Sequence, residues 1–124
     1  MKKNMVGWFE IYVDDMDRAK TFYQNVFEVK EFMDLSNEHL QMFAFPWEEN
    51  APSAAGALVK ADFNKPSGNG TLVYFNCEDC AVEEKRASEN GGEIVNPKMS
   101  IGEHGFVSMI RDTEGNVIGL HSMK

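Results

Sequence analysis

One pattern occurs twice in this chain, and it constrains the fold more than any other feature. Val13-Asp14-Asp15 closes a run of alternating residues and opens a helical pattern, and Cys77-Glu78-Asp79 does the same 64 residues on, from Asp15 to Asp79. The same displacement sets Phe27-Glu28 on Gly91-Gly92, where each helical pattern stops. In the first copy, alternation along 8–13 puts Phe9, Ile11 and Val13 on one face and Trp8, Glu10 and Tyr12 on the other. Asp15 supplies an N-cap oxygen, Asp17 adds first-turn charge, and Ala19, Phe22, Tyr23, Val26 and Phe27 recur at three-four spacing, so an amphipathic helix follows. Strand patterns come next at 29–33, 40–45 and 57–60. Past a loop rich in turn residues, 62–70, the order repeats. A strand pattern over 71–77 faces Val73, Phe75 and Cys77 one way and Leu72, Tyr74 and Asn76 the other. A helix capped by Asp79 runs to Asn90, with Val82 and Ala87 as its main apolar residues, and strands follow over 93–96, 105–110 and 116–122. Asp112-Thr113-Glu114-Gly115 makes the last hairpin turn. The expected fold is α+β: two tandem βαβββ modules, about 5–61 and about 70–124, forming a curved, cup-shaped mixed sheet with the helices outside. The outward set of each first strand lines the cup.

With 124 residues, 43% apolar and 26% charged, the two modules make one domain with enough material for a core. Twelve Lys and Arg against twenty Asp and Glu give a charge of −8, the wrong sign for a phosphate backbone or an anionic bilayer, so neither nucleic acid nor membrane is an expected partner. No apolar run approaches the roughly 18 residues that span a bilayer, and the N-terminal residues lead into alternating sequence instead of a signal-peptide core. A cytoplasmic protein is the expectation. Two cysteines cannot build a disulfide framework, which leaves stability to the core and to an oligomer interface.

The run Gly7-Trp8-Phe9-Glu10-Ile11-Tyr12-Val13-Asp14-Asp15-Met16-Asp17-Arg18-Ala19, the pair Phe22-Tyr23 and the closing run from Phe106 through Gly115-Asn116-Val117-Ile118-Gly119-Leu120 together resemble the vicinal oxygen chelate superfamily. That superfamily includes glyoxalase I, extradiol dioxygenases and the fosfomycin and bleomycin resistance proteins. The resemblance covers essentially the whole chain and implies the two-module cup and a homodimer. In the family's enzymes it also implies a divalent metal, held by His, Gln or Glu from the first and last strands of each module. Carried onto this chain, the first-strand ligand position, five residues before the Val of Val-x-Asp, is Trp8, and the same count from Cys77 reaches Leu72. The acid that follows Gly-Asn-x-x is here Gly119. Indole, isobutyl and bare backbone offer no side-chain donor to a divalent cation, so no cofactor is expected at those positions.

Two readings of function stay open. In the first, the chain is a metal-independent small-molecule-binding protein of the glyoxalase/bleomycin-resistance type, its ligand site lined by Trp8, Tyr12, Leu72, Tyr74 and Gly119. In the second it is an enzyme. Glu10 lies two residues after Trp8 and His121 two after Gly119, which returns each to the cup face. They would hold a displaced divalent metal for lyase, isomerase or dioxygenase-like chemistry, or act without metal as an acid-base pair. Two donors fall short of the three protein ligands usual for catalytic zinc. A plain polar contact, satisfied by Tyr12 or water, fits the same pair. Trp8, Tyr12 and Tyr74 serve equally as a stacking platform for a planar ligand, a cationic one matching the acidity, or as filling for a narrow cup. Cys77-Glu78-Asp79-Cys80 has C-x-x-C spacing but no second pair, and the two intervening acids disfavour a thiolate. Glu48-Glu49 and Glu83-Glu84 read as solvated faces, His39 and His104 as surface.

Overall fold

The structure, a computed structural model, describes residues 4, 6, 8–68 and 70–124. Gly7 of the first motif, Met1, Lys2, Lys3 and Met5 of the N-terminal segment, and Asn69 of the central loop lie outside the described residues. The first module is β1 (Trp8–Tyr12), α1 (Met16–Phe27), β2 (Met33–Asp34), β3 (Gln41–Ala44) and β4 (Ala55–Lys60), with sheet order β1-β4-β3-β2. The second is β5 (Tyr74–Asn76), α2 (Cys80–Glu89), β6 (Glu93–Ser100), a 3₁₀ turn (Gly102–His104), β7 (Phe106–Arg111) and β8 (Val117–Ser122), with order β5-β8-β7-β6. β1 runs parallel to β4 and β5 parallel to β8, while the remaining pairs are antiparallel. The fold is α+β, two tandem βαβββ modules forming a curved sheet.

Local chemistry sets the elements. Asp15 and Asp79 are both extended at the helix entrances, and their side chains accept from Arg18 N and Ala81 N. The left-handed residue that breaks each helix is Glu28 after α1 and Gly91 after α2. Ile11, Val13, Ala19, Phe22, Tyr23 and Val26 are buried and join Leu58, Ile110, Ile118 and Leu120 in one core that draws on both modules. On α2 the buried residues are Cys80 and Ala87, seven apart and so on one face, whereas Val82 is 42% exposed, contrary to the expectation that it packs inward. β6 outruns the expected 93–96: it continues through Pro97, which an edge strand tolerates, with register shifts between Ile94 and Met99. Of the expected 29–33 strand only Met33 pairs, together with Asp34 just beyond it.

The β7–β8 turn joins the modules. Glu114 accepts from Arg18 Nε and Nη2, from the backbone N–H of Asp14 and Asp15, and from Thr113 Oγ1. Asp112 accepts from the buried Tyr23 hydroxyl at 2.8 Å, and Asn116 Nδ2 donates to the Tyr12 carbonyl at 2.7 Å. Burial pushes the Glu114 carboxyl up, but the bonds from Arg18, Asp15, Thr113 and Asp14 outweigh it and leave it below its ordinary value. At Asp112 burial wins and the carboxyl is raised. The buried acids are these two turn residues, whereas Glu10, expected on the cup face, is exposed.

Candidate functional site

An open groove of about 1760 Å³ runs between the modules. Among the described residues neither β1 nor β5 has a strand on its second edge, and those two edges form the groove walls with Trp8, Glu10, Leu72, Tyr74 and Asn76. The 46–55 connection closes one side, tied across by Asn76 Nδ2 donating to Ser53 Oγ at 3.2 Å. The floor is aromatic, made by Phe9, Phe27, Phe45 and Phe75, with the Phe27 and Phe75 rings stacked at 4.6 Å. At the mouth Trp8 and Trp47 meet edge to face, their centroids 6.0 Å apart.

The outward residues of β1 are bonded to one another. The Tyr12 hydroxyl donates to Glu10 Oε1 at 2.7 Å and Trp8 Nε1 donates to Oε2 at 3.3 Å. These bonds hold an exposed carboxylate in one orientation above the groove. The Tyr12 phenol is pushed up to about 12, first by burial, then by the hydrogen bond and charge of Glu10. Tyr12 itself turns away from the groove to meet Phe63. Leu72 and Tyr74 line the groove as expected; Gly119 and His121 do not. His121 Nε2 lies 2.7 Å from the His104 carbonyl, which can only accept, so that nitrogen carries a proton. Glu10 and His121 are not hydrogen-bonded to each other, and the acid-base pair is not assembled.

The family metal does not fit these residues. Trp8 and Leu72 present carbon and indole, and the place a side chain at Gly119 would take is filled by the Tyr74 ring, into which a Cβ there would run. Among the described residues no three His, Cys, Asp or Glu side chains converge. In the C-x-x-C pair the Cys77 thiol is pushed up to about 12, first by burial and then by the charge of Glu83, and Cys80 is buried.

The sequence reading missed the aromatic floor and Glu83. Phe27 and Phe75 carry the helix-facing signal of core residues, and only the gap between β1 and β5 brings them to the groove. Glu83 and Glu84 are not a solvated pair: Glu84 accepts from Ser108 Oγ at 2.7 Å and from the Lys98 backbone N–H at 2.6 Å, and Glu83 lies against Cys77.

A family model described as the Glyoxalase/Bleomycin resistance protein/Dioxygenase superfamily matches residues 5–120. The chain belongs to this superfamily. Among solved structures, TnmS3, an antibiotic binding protein from Streptomyces sp. CB03234, is 26% identical over 98% of each chain, with a TM-score of 0.69. A glyoxalase/bleomycin resistance protein from the same strain is also 26% identical, covering 94% of this chain and 98% of its own, with a TM-score of 0.66. A glyoxylase/bleomycin resistance protein/dioxygenase domain from Frankia sp. EAN1pec is 16% identical over 99% of this chain and 100% of its own, with a TM-score of 0.69, a likeness of fold. A comparison with curated proteins finds no match. Membership of the glyoxalase/bleomycin resistance superfamily supports small-molecule binding in general terms, and one fold there carries several chemistries. Among the described residues of this superfamily member, no helix is long and apolar enough to cross a membrane.

Proposed function

We propose that the chain is a metal-independent small-molecule-binding protein, acting as a cytoplasmic homodimer. The observation that carries this reading is the Tyr74 ring seated on Gly119, which puts an aromatic surface where the family's enzymes place a metal-binding acid. The groove supports it: an aromatic floor, a Trp8–Trp47 mouth and one oriented carboxylate suit a large, flat organic molecule better than a small polar substrate. The 26% identity to an antibiotic binding protein points to ligands of antibiotic size. Homodimerisation would cover exposed apolar residues outside the groove, such as Met99 and Met123. The enzymatic alternative on Glu10 and His121 draws no support from their positions.

Titration with ethidium, a planar cation, tests the reading through tryptophan emission. Saturable quenching is expected, weakened in Trp8→Phe, whose remaining emission comes from Trp47, and unchanged by EDTA. Quenching that appears only when a divalent metal is added would count against metal independence.

A further inference from the structure

Beneath the groove, among the described residues, one buried side-chain oxygen is left without a partner. Glu83, in the first turn of α2, has a side chain only 16% exposed, and its Oε1 is buried with no hydrogen bond; the Cys77 thiol against this carboxylate donates to the Phe75 carbonyl at 3.6 Å. Its other oxygen faces Arg86 Nη1 at 3.9 Å, a long contact, because that guanidinium is already engaged by the Val26 carbonyl at 3.3 Å and by Glu28 at 3.6 Å. A buried acceptor that stays unmet is costly, and native proteins keep few of them without a use. This one lines the groove together with the stacked rings of Phe27 and Phe75.

We propose that Glu83 Oε1 is the anchoring acceptor of the groove, receiving an N–H from a flat organic cation, an amidinium or a protonated aromatic amine, whose apolar body lies against Phe27 and Phe75. The inference rests on the groove being the small-molecule site. A carboxylate forms its strongest hydrogen bonds with charged donors, and aromatic faces attract the same cations. Glu10, oriented by Tyr12 and Trp8 on the opposite wall, adds charge of the same sign. A ligand bridging the two acids would span the groove from mouth to floor.

Benzamidinium and its neutral counterpart benzamide test the anchor by calorimetry on the full chain. The wild type should bind benzamidinium at least tenfold more tightly than benzamide. Glu83→Gln should erase that preference while changing benzamide binding less than twofold, and Glu38→Gln, an equal charge change on the exposed surface, should keep it. Without ligand, Glu83→Gln should melt no lower than the wild type, since it relieves an unmet carboxylate. A lower melting temperature would show that the carboxylate holds the fold and would overturn the anchor, as would an undiminished preference, with solvent or Cys77 meeting the oxygen. In either of those cases benzamide binding leaves the groove standing as a site. Failure of both compounds to bind the wild type would overturn the anchor, and failure of ethidium as well would overturn the groove. A crystal of the wild type soaked with benzamidinium supplies a check independent of any variant: an amidinium nitrogen within hydrogen-bond reach of Oε1 is expected, and a position elsewhere would refute the proposal.

Discussion

Arg18 of the first module and Glu114 of the second form a two-bonded ion pair, Nε to Oε2 at 2.7 Å and Nη2 to Oε1 at 3.0 Å. Because Oε1 also takes the N–H groups of Asp14 and Asp15, one buried carboxylate both joins the modules and satisfies the backbone at the entrance of α1. Truncating it leaves those donors unmet. Glu114→Ala is expected to cost about 1–3 kcal/mol in urea unfolding, the range for leaving buried donors unmet, because the half-exposed Arg18 regains water. Across the groove Asn76 donates to Ser53 in an exposed hydrogen bond, apart from the Phe27–Phe75 stack, and Asn76→Ala should cost about 1 kcal/mol or less.

The same two turn acids give opposite pH signs. Glu114 titrates below its ordinary 4.5, so its contribution is full above that pH and is lost as pH falls through the lower folded value. Asp112 titrates above its ordinary 3.8, so its contribution is full below that pH and fades as pH rises through the higher folded value. Below pH 4.5 the wild type should therefore lose stability with a slope that Glu114→Gln flattens, read as melting temperature against pH. Unchanged acid sensitivity in that variant would remove Glu114 from the account.

At Gly119 a Cβ would strike the Tyr74 ring. Gly119→Ala should destabilise by about 1–3 kcal/mol, the usual cost of overpacking. Tyr74→Ala in the same chain should recover most of that loss, and the coupling is read from a double-mutant cycle.

Glu10 and Tyr12 make a further pair accessible to spectroscopy. The Tyr12 phenol, at about 12, should remain protonated in an alkaline absorbance titration through the ordinary tyrosine value of 10.0. Glu10→Gln should bring it part of the way back, because burial, the larger cause, remains.

What the sequence makes legible is local. The caps at Asp15 and Asp79, alternation along β1 and β5, and their repetition are enough for the two-module fold, and alternation also places Trp8, Glu10 and Tyr74 on the groove. Alternation specifies a face and not a neighbour, so it could not show that His121 is held by the carbonyl of His104, or that Glu10 is held by its own strand. Glu114 was hidden for a different reason: an acid in a hairpin turn carries the signature of solvent exposure, and its partner Arg18 is 96 residues away. Glu83 looked like half of a charge run until the gap between β1 and β5 put it under a cavity.

Metal content of protein purified without chelator tests the central claim most directly. Measured by plasma mass spectrometry, the wild type should carry far less than one equivalent of Zn, Ni, Mn or Fe and still bind ethidium. A stoichiometric metal that disappears in Glu10→Ala or His121→Ala would contradict metal-independent binding and restore the enzyme reading.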